Sequence, residues 1–327
     1  MTDAFADRAL SVSGAVEVAR IERSGMIESR HFGAAAVVDG SGSVIRSLGD
    51  TAALIYPRST LKLVQAVTVL RSGAPLVGAQ IVLAAASHAG SDEHLAVVRS
   101  ILATAGLTAD ALQCPVDWPL GRTYQNALIR AGASPTRLHM NCSGKHAGFL
   151  LACVQNGWPV ADYLDPAHPL QARILDAVAE FTGEPVVHTG IDGCGAPVHA
   201  VTLAGLARAA GRVTGARSGD EKWLTDAIYE NPWALDGRGR ANTLVIEELG
   251  LIAKLGAEGV MVIGAPDGHA VAVKILDGSL RAATLVALEL MIEAGVLTRA
   301  AAAPVLERTT ERVLGGGHSV GTLRSAF

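Results

Sequence analysis

Patterns typical of β-strands lie near both ends of the 327-residue chain, and helical patterns fill the middle. Residues 32–38 and 44–48 are apolar segments joined by a short stretch with two glycines, which predicts a β-hairpin. Half of the residues are apolar and 18% are charged, so we expect a compact α/β or α+β enzyme. Further extended segments are expected at 16–24, 51–55, 251–254, 260–263 and 270–275.

The middle of the chain is expected to be mostly helical. Together with the strands, it indicates one two-lobed catalytic domain over 1–327, in which about 15–60 and 250–295 contribute the sheet and about 60–250 form the helical lobe. Residues 315–327 begin with three glycines and are expected to be a loose tail. Helices are predicted at 60–71, 77–86, 92–105, 122–131, 141–155, 169–182, 199–210, 219–230, 241–249 and 280–294.

Charge and hydropathy argue against several classes of function. The net charge of −4 gives no basis for binding nucleic acid or an anionic membrane. No apolar run reaches the roughly 20 residues that a membrane-spanning helix needs. Residues 1–7 are acidic and lack the basic-then-apolar order of a signal peptide, so we expect a cytoplasmic protein.

A Ser-x-x-Lys pattern follows the apolar segment 52–55. Ser59 lies at a predicted helix start and Lys62 lies one turn later on the same face. A lysine whose pKa is lowered can take the proton of a serine hydroxyl and so activate it as a nucleophile. The alternative is that Ser59 simply caps the helix.

Two other polar segments adjoin buried helices. Ser87 and His88 follow the apolar helix 77–86, on a turn from which polar side chains can reach a cleft, although an ordinary helix–helix loop has the same pattern. The next helix is expected to be capped by Ser91, with His94 at its third position. Lys254, at the edge of a predicted strand, precedes a glycine that clears space for its ammonium group.

Cysteines occur in two unusual settings. Cys142 and Lys145 lie three residues apart in a polar segment, 141–148, that opens an apolar helix, and the helix terminus and the lysine are expected to lower the thiol pKa. Cys194 lies between two glycines, so its sulfur is easily approached. The spacing of 52 residues leaves a metal site as one possibility among several. Cys153, within an apolar run, is interpreted as core.

Five motifs occur in order along the chain: Tyr-Pro-Arg-Ser-x-x-Lys, Ser-His-x-Gly, Asn-Cys-Ser-Gly-Lys-His, Asp-Gly-Cys-Gly-Ala-Pro and Lys-x-Gly-Ala-Glu-Gly-Val. Together they resemble the class 3 L-asparaginases, the Rhizobium etli inducible type, also described as asparaginase II. The resemblance covers about residues 20–290 and implies a fold similar to serine β-lactamases and serine glutaminases, with an antiparallel sheet flanked by helices and a helical lobe.

The resemblance implies hydrolysis of L-asparagine to L-aspartate and ammonia by two serine–lysine pairs. The first pair corresponds to Ser59 with Lys62. The second corresponds to Ser87 with a later lysine, assigned to Lys254, and Lys274 on the last predicted strand is the alternative.

The resemblance also implies a bound Zn²⁺ and a homodimer. The zinc ligands correspond to Cys142, Lys145 and Cys194, with Asp192 close by. A lysine ligand must be neutral, so such a site would bind metal more weakly as the pH falls.

Arg58, His88 and Asp192 are candidates to bind the substrate, and Arg58 could equally form a surface salt bridge. Three alternatives stay open for the function. The chain could be a glutaminase or a β-lactam-recognising enzyme of the same fold. It could be a non-catalytic module that binds zinc or a small molecule. It could also be a cysteine hydrolase that uses Cys142.

Overall fold

The computed structural model describes residues 8–327, within which twelve strands form one large and two small antiparallel sheets. Residues 1–7, on which the expectation of no signal peptide rests, lie outside the described residues. The strands are β1 (Val16–Arg23), β2 (Met26–Val38), β3 (Val44–Leu48), β4 (Leu54–Ile55), β5 (Thr189–Ile191), β6 (Pro197–His199), β7 (Val201–Thr202), β8 (Ile252–Gly256), β9 (Val260–Gly264), β10 (Ala270–Ile275), β11 (Val313–Gly315) and β12 (His318–Ser325).

Helices cover both faces of the large sheet and make up most of the chain between β4 and β8. Short 3₁₀ turns occur at Arg58–Leu61, Ala109–Ala111 and Pro232–Ala234. The α-helices are α1 (Lys62–Arg71), α2 (Ala79–Ala85), α3 (Asp92–Thr104), α4 (Arg122–Arg130), α5 (Ser143–Asn156), α6 (Pro169–Thr182), α7 (Leu203–Thr214), α8 (Gly219–Glu230), α9 (Ala241–Leu249), α10 (Ala283–Glu293) and α11 (Arg299–Thr309).

The large sheet has the order β11-β12-β1-β2-β10-β9-β8, and β3 also pairs with β2. Successive residues of a strand point to opposite faces. Ala34 and Ala36 of β2 therefore join the core formed with the helical lobe, whereas Ala35 and Val37 join a second core on the opposite face, next to α10. This architecture confirms the expected antiparallel sheet flanked by helices.

The helices that carry the site residues are buried on nearly every side. All residues of α1 except the last are buried, and α5 is buried from Ser143 to Cys153. A helix surrounded by apolar neighbours leaves only its ends for polar chemistry. Side chains at the ends of α1, α2 and α5 and on β8 therefore meet in one place.

Several local predictions are confirmed and others are wrong. Ser91 caps α3, and its hydroxyl accepts a hydrogen bond from the His94 backbone at 3.3 Å. The helix predicted to begin at residue 199 begins at Leu203, because β6 and β7 occupy the preceding residues. Helix α11 was not anticipated. None of the described helices is both long and apolar enough to cross a membrane.

The expectation of a loose tail at 315–327 is wrong. Residues of β12 pair with β1 from Ala19 opposite Ser325 to Arg23 opposite Gly321. The glycines interpreted as a flexible start form the turn between β11 and β12, where Gly316 and Gly317 have positive φ. Leu323 of β12 is buried in the second core.

The pairing of β12 leads to a stability prediction. Leu323 is 3% exposed, whereas Leu314 of the neighbouring strand is 48% exposed. We expect Leu323→Ala to lower the free energy of unfolding by about 2–4 kcal/mol, because it leaves a cavity in the core. Leu314→Ala, the matched control, is expected to change it by less than about 0.5 kcal/mol. Urea denaturation measures both, and equal small effects would restore the loose-tail interpretation.

Candidate active site

The hydroxyl of Ser87 lies between two buried lysine amines. Lys62 Nζ and Lys254 Nζ each donate to Ser87 Oγ at 2.9 Å. Both lysines are almost completely excluded from solvent, with exposed fractions of 1% and 0%. Each amine also donates to a backbone carbonyl, that of Ala86 at 2.7 Å and that of Leu255 at 2.8 Å. The result is a half-buried serine held by two desolvated amines.

The backbone that carries Ser87 is held on two sides. Helix α2 ends at Ala85, and the extended residues after it form hydrogen bonds with remote segments. Ser87 N donates to Leu235 O at 3.0 Å, and His88 N donates to Asn141 O at 3.0 Å. These bonds satisfy backbone groups that burial would otherwise leave unpaired. The polar loop is therefore a fixed part of the site.

Burial changes the proton affinity of Lys254. Desolvation, with a smaller contribution from the nearby Lys62, lowers the pKa of Lys254 to about 7. An amine with that pKa is substantially neutral near pH 7, and a neutral amine can accept a proton. Lys254, the lysine assigned to the second serine–lysine pair, thus contacts Ser87, the serine of that pair. The alternative, Lys274, donates instead to the backbone carbonyl of Glu258.

Ser59 lies in the 3₁₀ turn Arg58–Leu61 that leads into α1, and its side chain is half-buried. The backbone N–H of Lys62 donates to Ser59 O. Within residues 8–327, the hydrogen bonds of Lys62 Nζ go to Ala86, Ser87 and Cys142, and none goes to the Ser59 hydroxyl. Strand β8 passes close to the turn, because a Cβ on Gly256 would lie 3.3 Å from Ser59 N. The glycine thus clears the space beside Ser59 rather than beside Lys254.

A second buried cluster joins two thiols and an amine. Lys145 Nζ donates to Cys194 Sγ at 2.9 Å, and Cys142 lies in hydrogen-bond contact with Cys194. Cys142 and Lys145 are at the start of α5, whereas Cys194 is in the turn between β5 and β6. The spacing of 52 residues gave no indication of this contact, which depends on the fold.

The charges of this cluster stabilise one another. The hydrogen bond from Cys142, together with Lys145 and His146, lowers the pKa of Cys194. The same hydrogen bond, and burial, raise the pKa of Cys142. Burial opposes the charge of Lys145, but the two neighbouring cysteines raise its pKa. The cluster therefore favours a thiolate paired with an ammonium.

The donor set fits a soft metal ion. Sulfur and nitrogen donors are those that zinc prefers. Within residues 8–327, no group of three or more His, Cys, Asp and Glu side chains is arranged to hold a metal, so Lys145 would have to supply the third donor atom. Binding would require this amine to lose a proton that its thiol neighbours favour, which makes the fit dependent on pH.

The two clusters meet at Cys142. Lys62 Nζ donates to Cys142 Sγ at 3.0 Å, and the same sulfur lies 3.1 Å from Asn141 Oδ1. A thiol that contacts both Lys62 and Cys194 makes the Ser87 cluster and the thiol cluster one continuous polar layer. The two motifs, 56–62 and 141–148, could be recognised in the sequence, but not this shared contact.

Of the residues predicted to bind substrate, Arg58 and Asp192 pair with each other, whereas His88 is completely buried. Arg58 Nε donates to Asp192 Oδ1 at 2.6 Å, and that carboxylate also accepts from Gly193 N at 2.9 Å. His88 is 0% exposed, its Nε2 lies 2.9 Å from Ser143 Oγ, and its ring stacks on His94. A role for His88 in binding substrate stays a prediction.

The sequence interpretation missed two supporting residues. Asp236 accepts from Arg240 at 2.5 Å, and its backbone carbonyl accepts from Ala89 N in the Ser87 loop at 2.7 Å. Asn242 Oδ1 accepts from Leu255 N at 3.0 Å, which holds the residue after Lys254. The sequence offers little indication of Asp236 and Asn242, because the polar residues in the segment 231–250 match none of the motifs.

Comparison with known proteins identifies a family. The family model of L-asparaginase II matches residues 19–325 and confirms the resemblance inferred from the five motifs. A search of curated proteins finds no significant match.

Solved structures with a similar fold include a β-lactamase from Mycobacterium bovis, with 18% identity, a TM-score of 0.40 and coverage of 85% of this chain and 95% of that chain. Mglu in its glutamate form has 13% identity and a TM-score of 0.46 over 82% of this chain and 62% of that chain. A Bacillus glutaminase has 11% identity and a TM-score of 0.36 over 82% and 92%. This chain thus spans less than two thirds of Mglu.

Proposed function

Since the chain belongs to the L-asparaginase II family, we propose that it is an amidohydrolase that converts L-asparagine and water to L-aspartate and ammonia. Family membership supports amide hydrolysis of a small molecule, and the choice of asparagine is our proposal. The observation that carries it is the Ser87 hydroxyl held by two buried lysine amines, next to the half-buried Ser59.

In the proposed reaction, Ser59 Oγ attacks the side-chain amide carbon and its proton passes to Lys62, while Ser87 and Lys254 form the relay that carries a proton onward. The tetrahedral intermediate then loses ammonia, which receives a proton through Ser87, and an acyl-enzyme ester remains. Water attacks this ester, aspartate leaves, and Ser59 recovers its proton. Splitting amide hydrolysis into two steps through a covalent intermediate is the usual advantage of a serine nucleophile.

Ser87 suits a relay better than it suits isolated nucleophilic attack. Its oxygen accepts hydrogen bonds from Lys62 and Lys254, so its own proton is free to move to a leaving group. Two positive charges near each other disfavour double protonation, which keeps one amine available as a base. Burial of both side chains also strengthens each electrostatic interaction.

Substitution of each serine by alanine tests whether Ser59 is the nucleophile and Ser87 the proton relay. We expect Ser59→Ala to lower kcat/KM for L-asparagine by a factor on the order of 10⁴ or more, because the nucleophile is lost. Ser87→Ala is expected to lower it by about 10²–10⁴, the usual range for proton transfer. Ammonia release from L-asparagine and L-glutamine in parallel measures both effects and the substrate preference.

The exposed Ser29→Ala is the matched control and should leave the rate unchanged. Acid quenching during turnover, followed by peptide mass spectrometry, should find the aspartyl adduct on Ser59. An adduct on Ser87 would exchange the two roles, and one on Cys142 would favour a cysteine hydrolase. Faster ammonia release from L-glutamine would make the protein a glutaminase.

The lowered pKa of Lys254 leads to a pH prediction. Protonated Lys254 cannot accept a proton, so we expect kcat/KM to rise about tenfold per pH unit below pH 7 and to level off above it. Lys254→Met should remove this inflection along with most of the activity. A rate that is constant between pH 5.5 and 8.5 would contradict a role for Lys254 as a proton acceptor in the relay through Ser87.

We also propose that Cys142, Lys145 and Cys194 hold Zn²⁺. When bound, the ion would supply positive charge that helps to orient the substrate. The serine route already has a nucleophile, so the proposed reaction needs no zinc-activated water. What supports the proposal is the convergence of two buried thiols and a buried amine.

Metal analysis tests the zinc proposal independently of activity. We expect the purified protein to retain close to one zinc per chain after dialysis, and Cys194→Ser to retain none. Cys153→Ser is the matched control, since Cys153 is equally buried but lies in the apolar part of α5. Retention should fall at lower pH because the ligands become protonated. A wild-type protein without stoichiometric zinc would overturn the assignment.

A further inference from the structure

A pocket of about 270 Å³ opens beside the Ser59 turn and is separate from the buried lysine cluster. Its walls include the apolar side chains of Leu54 and Leu276. Its polar groups come from three parts of the chain, namely Arg58 in the 3₁₀ turn, Glu258 in the turn after β8 and Lys274 in β10. A small cavity with an apolar wall and a few charged groups is typical of a site for a small ligand.

The side chains of Arg58, Glu258 and Lys274 form no hydrogen bonds with one another, so their charged groups are available to a ligand. Asp192 accepts from Arg58 Nε at 2.6 Å, and within residues 8–327 the two terminal nitrogens of the guanidinium group donate no hydrogen bond. The closer of them to Glu258 lies 3.9 Å from its Oε1, too far for a hydrogen bond. The Glu258 side chain is 64% exposed, and among the described residues 8–327 Lys274 Nζ donates only to the Glu258 backbone carbonyl.

Backbone strain is concentrated at this pocket. Within residues 8–327, only three non-glycine residues have positive φ, and two of them, Arg58 at 51° and Glu258 at 60°, line the pocket. A side chain in this conformation is disfavoured, and such residues cluster at ligand-binding sites. The strain is a reason to assign a function to these two side chains beyond a surface ion pair.

We propose that this pocket binds the zwitterionic head group of a free amino acid. Glu258 receives the α-ammonium group, and Arg58 and Lys274 receive the α-carboxylate. A guanidinium group suits a carboxylate because it donates two parallel hydrogen bonds. This inference rests on the proposed function, because it identifies how that site would recognise its substrate.

The balance of charge favours a zwitterion over other small ligands. With Asp192 included, the pocket has two cations, Arg58 and Lys274, and two anions. A simple anion would leave Glu258 unpaired, and a simple cation would leave Lys274 unpaired. A ligand with one charge of each sign pairs with both.

The pocket is placed to deliver a side chain to Ser59. Arg58 and Ser59 are consecutive, so a head group bound by the guanidinium lies near the nucleophile. The turn that carries Glu258 follows β8, whose Gly256 approaches Ser59 N so closely that an added Cβ would lie 3.3 Å from it. A head group in the pocket would therefore leave the amide side chain to point toward the hydroxyl.

Substrate analogues matched to single substitutions test the inference. We expect Glu258→Gln to raise KM for L-asparagine at least tenfold with kcat within about threefold, since it removes a charge that binds substrate and transition state alike. KM for the monoamide of butanedioic acid, which lacks the α-ammonium group, should not change. Lys274→Met should likewise raise KM for L-asparagine but not for 3-aminopropanamide, which lacks the carboxylate.

Glu307, which is exposed, and Lys222, which is partly exposed, lie outside the pocket and provide matched controls. Glu307→Gln and Lys222→Met remove the same charges elsewhere and should leave KM unchanged. Circular dichroism melting checks that each variant is folded. If both pocket variants retain the wild-type KM for L-asparagine, the pocket assignment is wrong while the proposed hydrolysis stands.

A binding measurement tests ligand recognition by the pocket independently of amide hydrolysis. Calorimetry with L-aspartate and the Ser59→Ala variant needs no turnover, and adding Glu258→Gln should weaken Kd at least tenfold. Binding that depends on Glu258 in a protein without amide turnover would support the pocket and overturn the proposed function. If L-aspartate does not bind, or if its Kd is unchanged by substitution of Glu258 and Lys274, the assignment of the pocket is wrong.

Discussion

The site depends on the burial of lysine amines. Lys62, Lys145 and Lys254 are each no more than 1% exposed. A buried charge without partners costs several kcal/mol, so each amine must have acceptors or lose its proton. Carbonyl oxygens, the Ser87 hydroxyl and the cysteine sulfurs supply the acceptors. The apolar helices and the sheet hold these acceptors in place, because dense packing leaves few alternative positions.

Several candidate site residues could be recognised in the sequence because they lie at the ends of apolar elements. The pairing of Ser87 with Lys254 came from the family resemblance. The two side chains lie 2.9 Å apart, and their catalytic role stays a prediction. The partners of Lys62 could not be predicted. The spacing of Ser59 and Lys62 specifies one helical turn, but the four-carbon side chain bonds to whichever acceptors the tertiary structure brings near. Those acceptors, Ser87 and Cys142, come from segments 25 and 80 residues away.

The fold was predicted best where local pattern and packing agree. The alternation that buries Ala34 and Ala36 on one face and Ala35 and Val37 on the other is visible in the sequence as an unbroken apolar run, typical of a strand covered on both sides. The pairing of β12 with β1 was missed, since the two strands are separated by almost the whole chain. Short strands with few apolar residues acquire their structure from such partners and not from their own propensity.

The proposed function divides the site into a buried polar layer for proton transfer and a solvent-accessible pocket for recognition. Cys142 joins the two clusters of the layer, and Asp192 connects the layer to the pocket. Cys142 contacts Lys62 in the Ser87 cluster and Cys194 in the thiol cluster. Asp192 holds Arg58 at the pocket and lies 3.7 Å from Cys194 Sγ. Proton transfer benefits from exclusion of water, which keeps an amine such as Lys254 neutral, whereas recognition of a charged head group needs a cavity that solvent and ligand can enter. In the proposed mechanism, the half-buried Ser59 lies at the boundary between these two environments, so that a ligand bound in the pocket meets a base in the buried layer.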